Sequence, residues 1–237
     1  MNVMGNAPLF GGVPSGNFTS GKKALVQEYF GTYQRFETVS KKDAGALLGA
    51  DNIIGDQYQI QLELVNGQHR GWLVNRFNAR IGFFDGEFSR KLSLLKAKGL
   101  TLTATLSFVA FTENPEPGHY WGEMAVIAYP AVEGEAFQKF ADAVAKKIGE
   151  GVHPDITLTP DGVQQVIDAQ GAWLPEKNIP YPTLDKGTVF LKKRRSLMDG
   201  VVEQGRKGNI GCYIISWAVL LGLVALIIWG FVSCGAQ

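Results

Sequence analysis

Residues 57–74 read QYQIQLELVNGQHRGWLV, and this stretch decides the fold. From Gln57 to Leu64 polar and apolar residues alternate without a break. Tyr58, Ile60, Leu62 and Leu64 therefore share one face of a β-strand, and the glutamines and Glu63 share the other. Asn66-Gly67 is a tight-turn dipeptide, which predicts a hairpin returning along Arg70 to Val74. A second turn at Asn75 to Asn78 and a strand from Ala79 to Phe84 extend the hairpin into a meander.

Toward the C-terminus the period changes from 2 to 3.6. Asp85 or Gly86 caps a helix with a Phe88, Leu92, Leu95 stripe, and Gly99 stops it. Leu100 to Ala110 alternates again, placing Leu100, Leu102, Ala104, Leu106 and Phe108 inward and Thr101, Thr103, Thr105 and Ser107 outward. After a loop rich in Pro and Glu (Asn114 to Gly118), a strand is predicted from Trp121 to Tyr129. Glu133 to Ile148 predicts an amphipathic helix with Phe137, Phe140, Ala141, Val144 and Ile148 on one face and Lys146-Lys147 in its last turn, as the helix dipole prefers. Thr159-Pro160 starts a short helix through Ala169, and Pro175, Pro180 and Pro182 mark an extended linker.

Toward the N-terminus, Lys22 to Glu37 sets Leu25, Tyr29, Tyr33 and Phe36 at helical spacing, and Ser40-Lys41-Lys42-Asp43 resembles a capping box opening a short helix through Leu48. The fold class is α+β: a small antiparallel sheet with barrel-like curl, flanking helices, and one C-terminal transmembrane helix. The boundaries are a Gly-rich segment (1–21), a helical extension (22–56), a β-rich domain with helices (57–150), a short helix and linker (151–190), a basic segment (191–211), the span (212–233) and a tail (234–237).

The span is the run Cys212 to Ser233, which carries no charge. At about 1.5 Å per residue its helix is roughly 33 Å long, enough for a hydrocarbon core of about 30 Å. Between Leu191 and Asn209 lie six cations (Lys192, Lys193, Arg194, Arg195, Arg206, Lys207), and none follows the span. The positive-inside rule then keeps the N-terminal part in the cytoplasm and puts the short C-terminus on the far side, as in a tail anchor. The same cations attract anionic lipid as a by-product. Met1 to Gly21 has no continuous apolar stretch of the signal-peptide kind. Cys212, beside the basic run, is placed for palmitoylation, and an unmodified thiol fits equally. Ala218 and Gly222 form a small-xxx-small spacing that seats a partner helix.

Before Leu191 the balance is 17 Lys and Arg against 20 Asp and Glu, a difference of −3, so bulk charge does not point to nucleic acid. Locally, His69 to Lys98 holds seven cations against Asp85 and Glu87. Arg70, Arg76, Arg80, Arg90 and Lys91, interleaved with Trp72, Phe77 and Phe83, offer phosphate contacts and stacking surfaces. The competing reading puts Trp72 and Phe83 in a core and leaves the cations solvated.

The stretch RIGFFDGEFSRKLSLLKAKGLTLTATLSFV, residues 80–109, resembles the HIRAN domain family, with Ile81-Gly82-Phe83-Phe84 as the Gly-containing strand, Phe88 to Leu95 as the helix and Leu100 to Val109 as the long strand. The match spans roughly residues 57 to 130. The resemblance implies binding of nucleic acid, including single-stranded DNA ends. The family's Asn-Pro-Tyr-Asp box is absent, its place taken by Asn66 to Arg76, which puts end recognition in question.

No P-loop, strand-linked GxGxxG, HExxH or GxSxG motif occurs. His69, His119 and His153 lie in separate turns or loops and are expected to be solvated, so no catalytic residue, metal site or cofactor is nominated. The leading expectation is a single-pass, tail-anchored protein presenting a cytosolic, non-enzymatic binding or adaptor domain to a protein partner. The alternative is a membrane-tethered, HIRAN-like binder of single-stranded DNA, and an enzyme without a recognisable motif ranks third.

Overall fold

The computed structural model describes residues 29–196, 199, 202 and 217–224. The elements, in chain order, are β1 (Phe30–Glu37), α1 (Lys41–Leu48), β2 (Gln57–Val65), β3 (Gln68–Val74), β4 (Arg80–Phe84), α2 (Gly86–Ala97), β5 (Leu100–Thr112), β6 (His119–Pro130), a 3-10 turn (Ala131–Glu133), α3 (Gly134–Gly149), α4 (Pro160–Asp168) and β7 (Thr188–Lys192). The strands pair antiparallel in the order β2-β3-β4-β1-β6-β5-β7, and a further β2–β5 pairing closes the first six into a barrel. The protein is thus α+β, a closed antiparallel barrel with flanking helices.

Local chemistry accounts for much of this. Asn66 and Gly67 both take left-handed backbone (φ 52° and 78°), as a two-residue hairpin turn requires, and set Val65 opposite Gln68. At the β3–β4 turn the Asn75 carboxamide oxygen accepts from the Phe77 and Ala79 amides. Asp85 caps α2, its carboxylate accepting from the Phe88 amide at 2.7 Å. Phe88 and Leu92 are buried, and α2 crosses one end of the barrel, packing on β3 and β5. The predicted face of α3 (Phe137, Phe140, Ala141, Val144, Ile148) is fully buried against β5 and β6. Thr159 caps α4, with Pro160 in its first turn.

Several expectations are corrected. Residues 30–37, predicted as helix, form β1, which pairs along its whole length with β6, from Phe30 opposite Ala128 to Glu37 opposite Trp121. Gly31 weakens a helix there, and a Cβ at that position would lie 2.0 Å from the Ile156 carbonyl oxygen. The ladder outweighs a helical spacing of three apolar residues. Leu25 lies outside the described residues. Leu64 shares the strand alternation of Tyr58 and Ile60 but is 66% exposed, because β2 runs past the cover of the barrel end.

In β5, a register shift between Leu106 and Phe108 inserts Ser107 as an extra residue. A bulge of one residue reverses which face later side chains take. Val109 therefore joins the main core, while Phe108 and Ala110 pack with Trp121 in a second cluster under Tyr181, Leu184 and Phe190. Thr105 and Ser107, expected to face outward, are buried, because α3 and the C-terminal segment cover that face. The proline-marked stretch is therefore part of the fold: it runs back over the barrel and ends in β7, which pairs with Val109 to Thr112 of β5.

Candidate functional site

The outer face of β2, β3 and β4 brings together four of the predicted residues, Arg70, Trp72, Arg80 and Phe83. Trp72 on β3 stands between Gln61 of β2 and Phe83 of β4 by register, and its ring meets Phe83 edge-on at 5.6 Å. Arg70 lies 4.6 Å from the Phe83 ring centroid and 5.4 Å from that of Trp72, and Arg80 covers Trp72 from 5.0 Å. Neither Trp72 nor Phe83 belongs to the buried core: both are half-buried, with arginines as their lid. The Trp72 indole nitrogen is buried without a hydrogen-bond partner. Arg80 also donates to Gln61 at 3.4 Å and forms an ion pair with Glu63, which offsets part of the positive charge of this face.

The other predicted residues are separate. Arg76 lies over the Phe77 ring at 5.0 Å in the β3–β4 turn. Arg90 and Lys91 are on α2, and the Lys91 ammonium sits 3.7 Å from the Phe30 ring centroid, against β1.

A groove that sequence reading missed opens beside this face. Among the described residues β2 meets β5 only at Gln57 and Tyr58, opposite Thr105 and Ala104. Just before this contact the Gly55 amide donates to the Leu106 carbonyl at 2.8 Å. Beyond Tyr58 the strands splay. An open space of about 1280 Å³ at this parting is lined by β2 from Gln57 to Leu64, by Thr101 to Thr103 of β5, by Ser93, Lys96 and Ala97 of α2, by His69, Val74, Asn75, Arg76 and Asn78 of β3 and the β3–β4 turn, and by Gln138 of α3. Nothing in the alternation of β2 or β5 signals this parting, since strand pattern does not specify how far two strands stay paired.

The histidines are not solvated loop residues. His153 is buried (4% exposed), with Nε2 2.9 Å from the Glu123 carboxylate and Nδ1 3.3 Å from the Ile179 carbonyl oxygen. Its ring lies between Tyr33 (centroids 3.8 Å apart) and Tyr181 (4.6 Å). Burial first, and then the Glu123 charge, pushes both phenols above their ordinary range. This cluster joins β1, β6 and the C-terminal cover. His69 Nδ1 is 3.2 Å from the Ser93 hydroxyl, and His119 Nε2 is 3.4 Å from an Arg35 guanidinium nitrogen. Among the described residues no three His, Cys, Asp or Glu side chains gather to hold a metal ion.

The basic run splits. Lys192 donates to the carbonyl oxygens of Leu47, Gly49 and Asn52. Arg195 donates to that of Ile54 at 2.9 Å and fills the space left by Gly149, where a Cβ would come within 2.7 Å of its Nε. These two are therefore bound into the fold. Lys193 and Arg194 are exposed, whereas Arg206, Lys207 and Cys212 lie outside the described residues. Residues 217–224, with Ala218 and Gly222, are helical and exposed. Among the described residues no helix is long and apolar enough to cross a membrane.

Neither models of known protein families nor curated proteins match this chain.

Proposed function

We propose that this chain is a non-enzymatic binding module held at a membrane, with the groove between β2 and β5 as its binding surface and Cys212 to Ser233 as its anchor. The observation that carries the reading is the splay of β2 from β5. In a closed barrel every strand edge is normally consumed by a neighbour; here two edges face each other across an open groove of about 1280 Å³. The anchor is supported by the charge-free run itself, and by Val219, Leu220, Leu221 and Leu223, each more than half exposed. An apolar surface of that kind calls for a bilayer or a partner.

The experiment replaces Leu220 and Val224 with Arg in the full chain. Central arginines cost about 3 kcal/mol each on insertion scales, so the variant is expected in the soluble fraction after a carbonate wash while the wild type stays with membranes. A variant that remained membrane-bound would end the anchor reading.

A second reading, a HIRAN-like nucleic-acid binder, is favoured by the Arg70, Trp72, Arg80 and Phe83 face and by the unpartnered indole nitrogen of Trp72. Against it stands the Arg80–Glu63 ion pair, because a phosphate would have to displace a carboxylate already in place.

A further inference from the structure

We propose that the groove between β2 and β5 takes an extended peptide segment of a partner protein, acidic toward its two ends, which adds as a strand along the free edge of β2. The proposal rests on the reading of the groove as the binding surface and names its occupant.

The argument starts from the ladder. In an antiparallel strand, alternate residues send their N–H and C=O groups to opposite edges. The two-residue turn at Asn66-Gly67 makes Val65 and Gln68 a hydrogen-bonded pair, so Val65, Glu63, Gln61 and Gln59 direct their backbone groups to β3. Tyr58, Ile60, Leu62 and Leu64 direct theirs to the other edge. Of these, Tyr58 reaches its partner Ala104 on β5, and among the described residues the strand pairing goes no further. Ile60, Leu62 and Leu64 thus present three backbone donors and three acceptors to the groove, with Leu102 of β5 facing them by the same alternation. From Gln59 to Leu64 the edge is about 17 Å long at roughly 3.3 Å per residue, the span of a six- or seven-residue strand. An extended chain satisfies such an edge in a way that no compact ligand does.

The charge follows from the two ends. Arg76 stands at the Gln59 end; Lys96 stands at the Leu64 end, near His69. Both cations are exposed, and among the described residues neither is paired with a carboxylate. The one acid on the lining, Glu63, is engaged by Arg80. Acidic groups near both termini of the added strand match this arrangement.

The test screens the full chain in nanodiscs against a phage-displayed library of randomised seven-residue peptides, with the Leu64→Pro chain as the control bait. Proline at position 64 removes a donor aimed into the groove and none aimed at β3, so the hairpin keeps its ladder. The expected result is enrichment, on the wild type only, of sequences with alternating β-branched or aromatic residues and Asp or Glu toward the ends. The best peptide, labelled with fluorescein, should lose at least tenfold in affinity when N-methylated at alternate positions along one edge, and at least threefold on Lys96→Glu protein. N-methylation removes peptide donors without touching the protein, so this arm is independent of any folding defect. Peptides that bind equally well when N-methylated would overturn strand addition and leave the groove as a binding surface. Failure to enrich any sequence on the wild type over the control would overturn both.

Discussion

Replacing Phe36 by Ala tests how the barrel packs where β1 lies between β4 and β6. Phe36 is 1% exposed and sits opposite Gly122 in the ladder. A Cβ at Gly122 would come within 2.7 Å of its ring, and a Cβ at Gly82 on β4 would come within 2.7 Å of the same ring from the other side. One phenyl ring therefore occupies the space that two missing side chains leave in the flanking strands. Because those neighbours have no side chains to move inward, the cavity made by Phe36→Ala cannot collapse. The expected loss is at the upper end of the usual range for such a change, about 4–5 kcal/mol. For a domain of this size that corresponds to a fall in Tm of about 10–15 °C. Gly82→Ala would press its methyl on the ring and on the Glu37 carbonyl oxygen 2.6 Å away, at a cost of about 2 kcal/mol. In the double variant the methyl enters the vacated space, so the combined loss should fall short of the sum by about 1 kcal/mol. The remaining strain comes from the Glu37 carbonyl, which is backbone and cannot yield. Urea unfolding of the full chain in detergent, followed by tryptophan fluorescence, measures all three variants. A loss below about 1.5 kcal/mol for Phe36→Ala, or strict additivity in the pair, would refute the argument. The result also bears on the HIRAN resemblance, since Gly82 is the glycine of the strand that carries it. The close contact with Phe36 supplies a packing reason for that glycine, independent of any ligand.

Two further outcomes are expected. Anisotropy titrations of the full chain in nanodiscs against labelled single-stranded DNA and RNA, at low and moderate salt, should show no binding that Arg70→Ala plus Arg80→Ala removes; steep salt dependence lost in that variant would favour the nucleic-acid reading. Arg195→Met should destabilise the domain by about 1.5 kcal/mol, since it withdraws a charged donor from the Ile54 carbonyl, and should speed proteolysis near β7; unchanged stability and cleavage would mean that the docked basic run contributes nothing to the fold.

Much of the fold and part of the candidate site follow from local chemistry that the sequence carries openly. The Asn66-Gly67 turn, the Asp85 cap, the apolar face of α3 and the Thr159-Pro160 start are each decided within a few residues, so they stand in the structure where the pattern places them. The Arg70, Trp72 and Arg80 grouping also follows, because adjacent strands of a meander put alternate residues on one face. What tertiary structure decided depends on partners far along the chain. β1 is a strand because β6, about 90 residues later, offers it a full ladder in place of a marginal helix. Phe108 moves from the main core to a second buried cluster because one extra residue in β5 reverses the alternation, and Lys192 and Arg195 dock on the fold because carbonyl groups of the 47–54 segment lie within reach. The groove belongs to the same class: each strand's pattern states which side faces in, but where β2 and β5 part is set by the closure of the barrel and by α2 packed across its end.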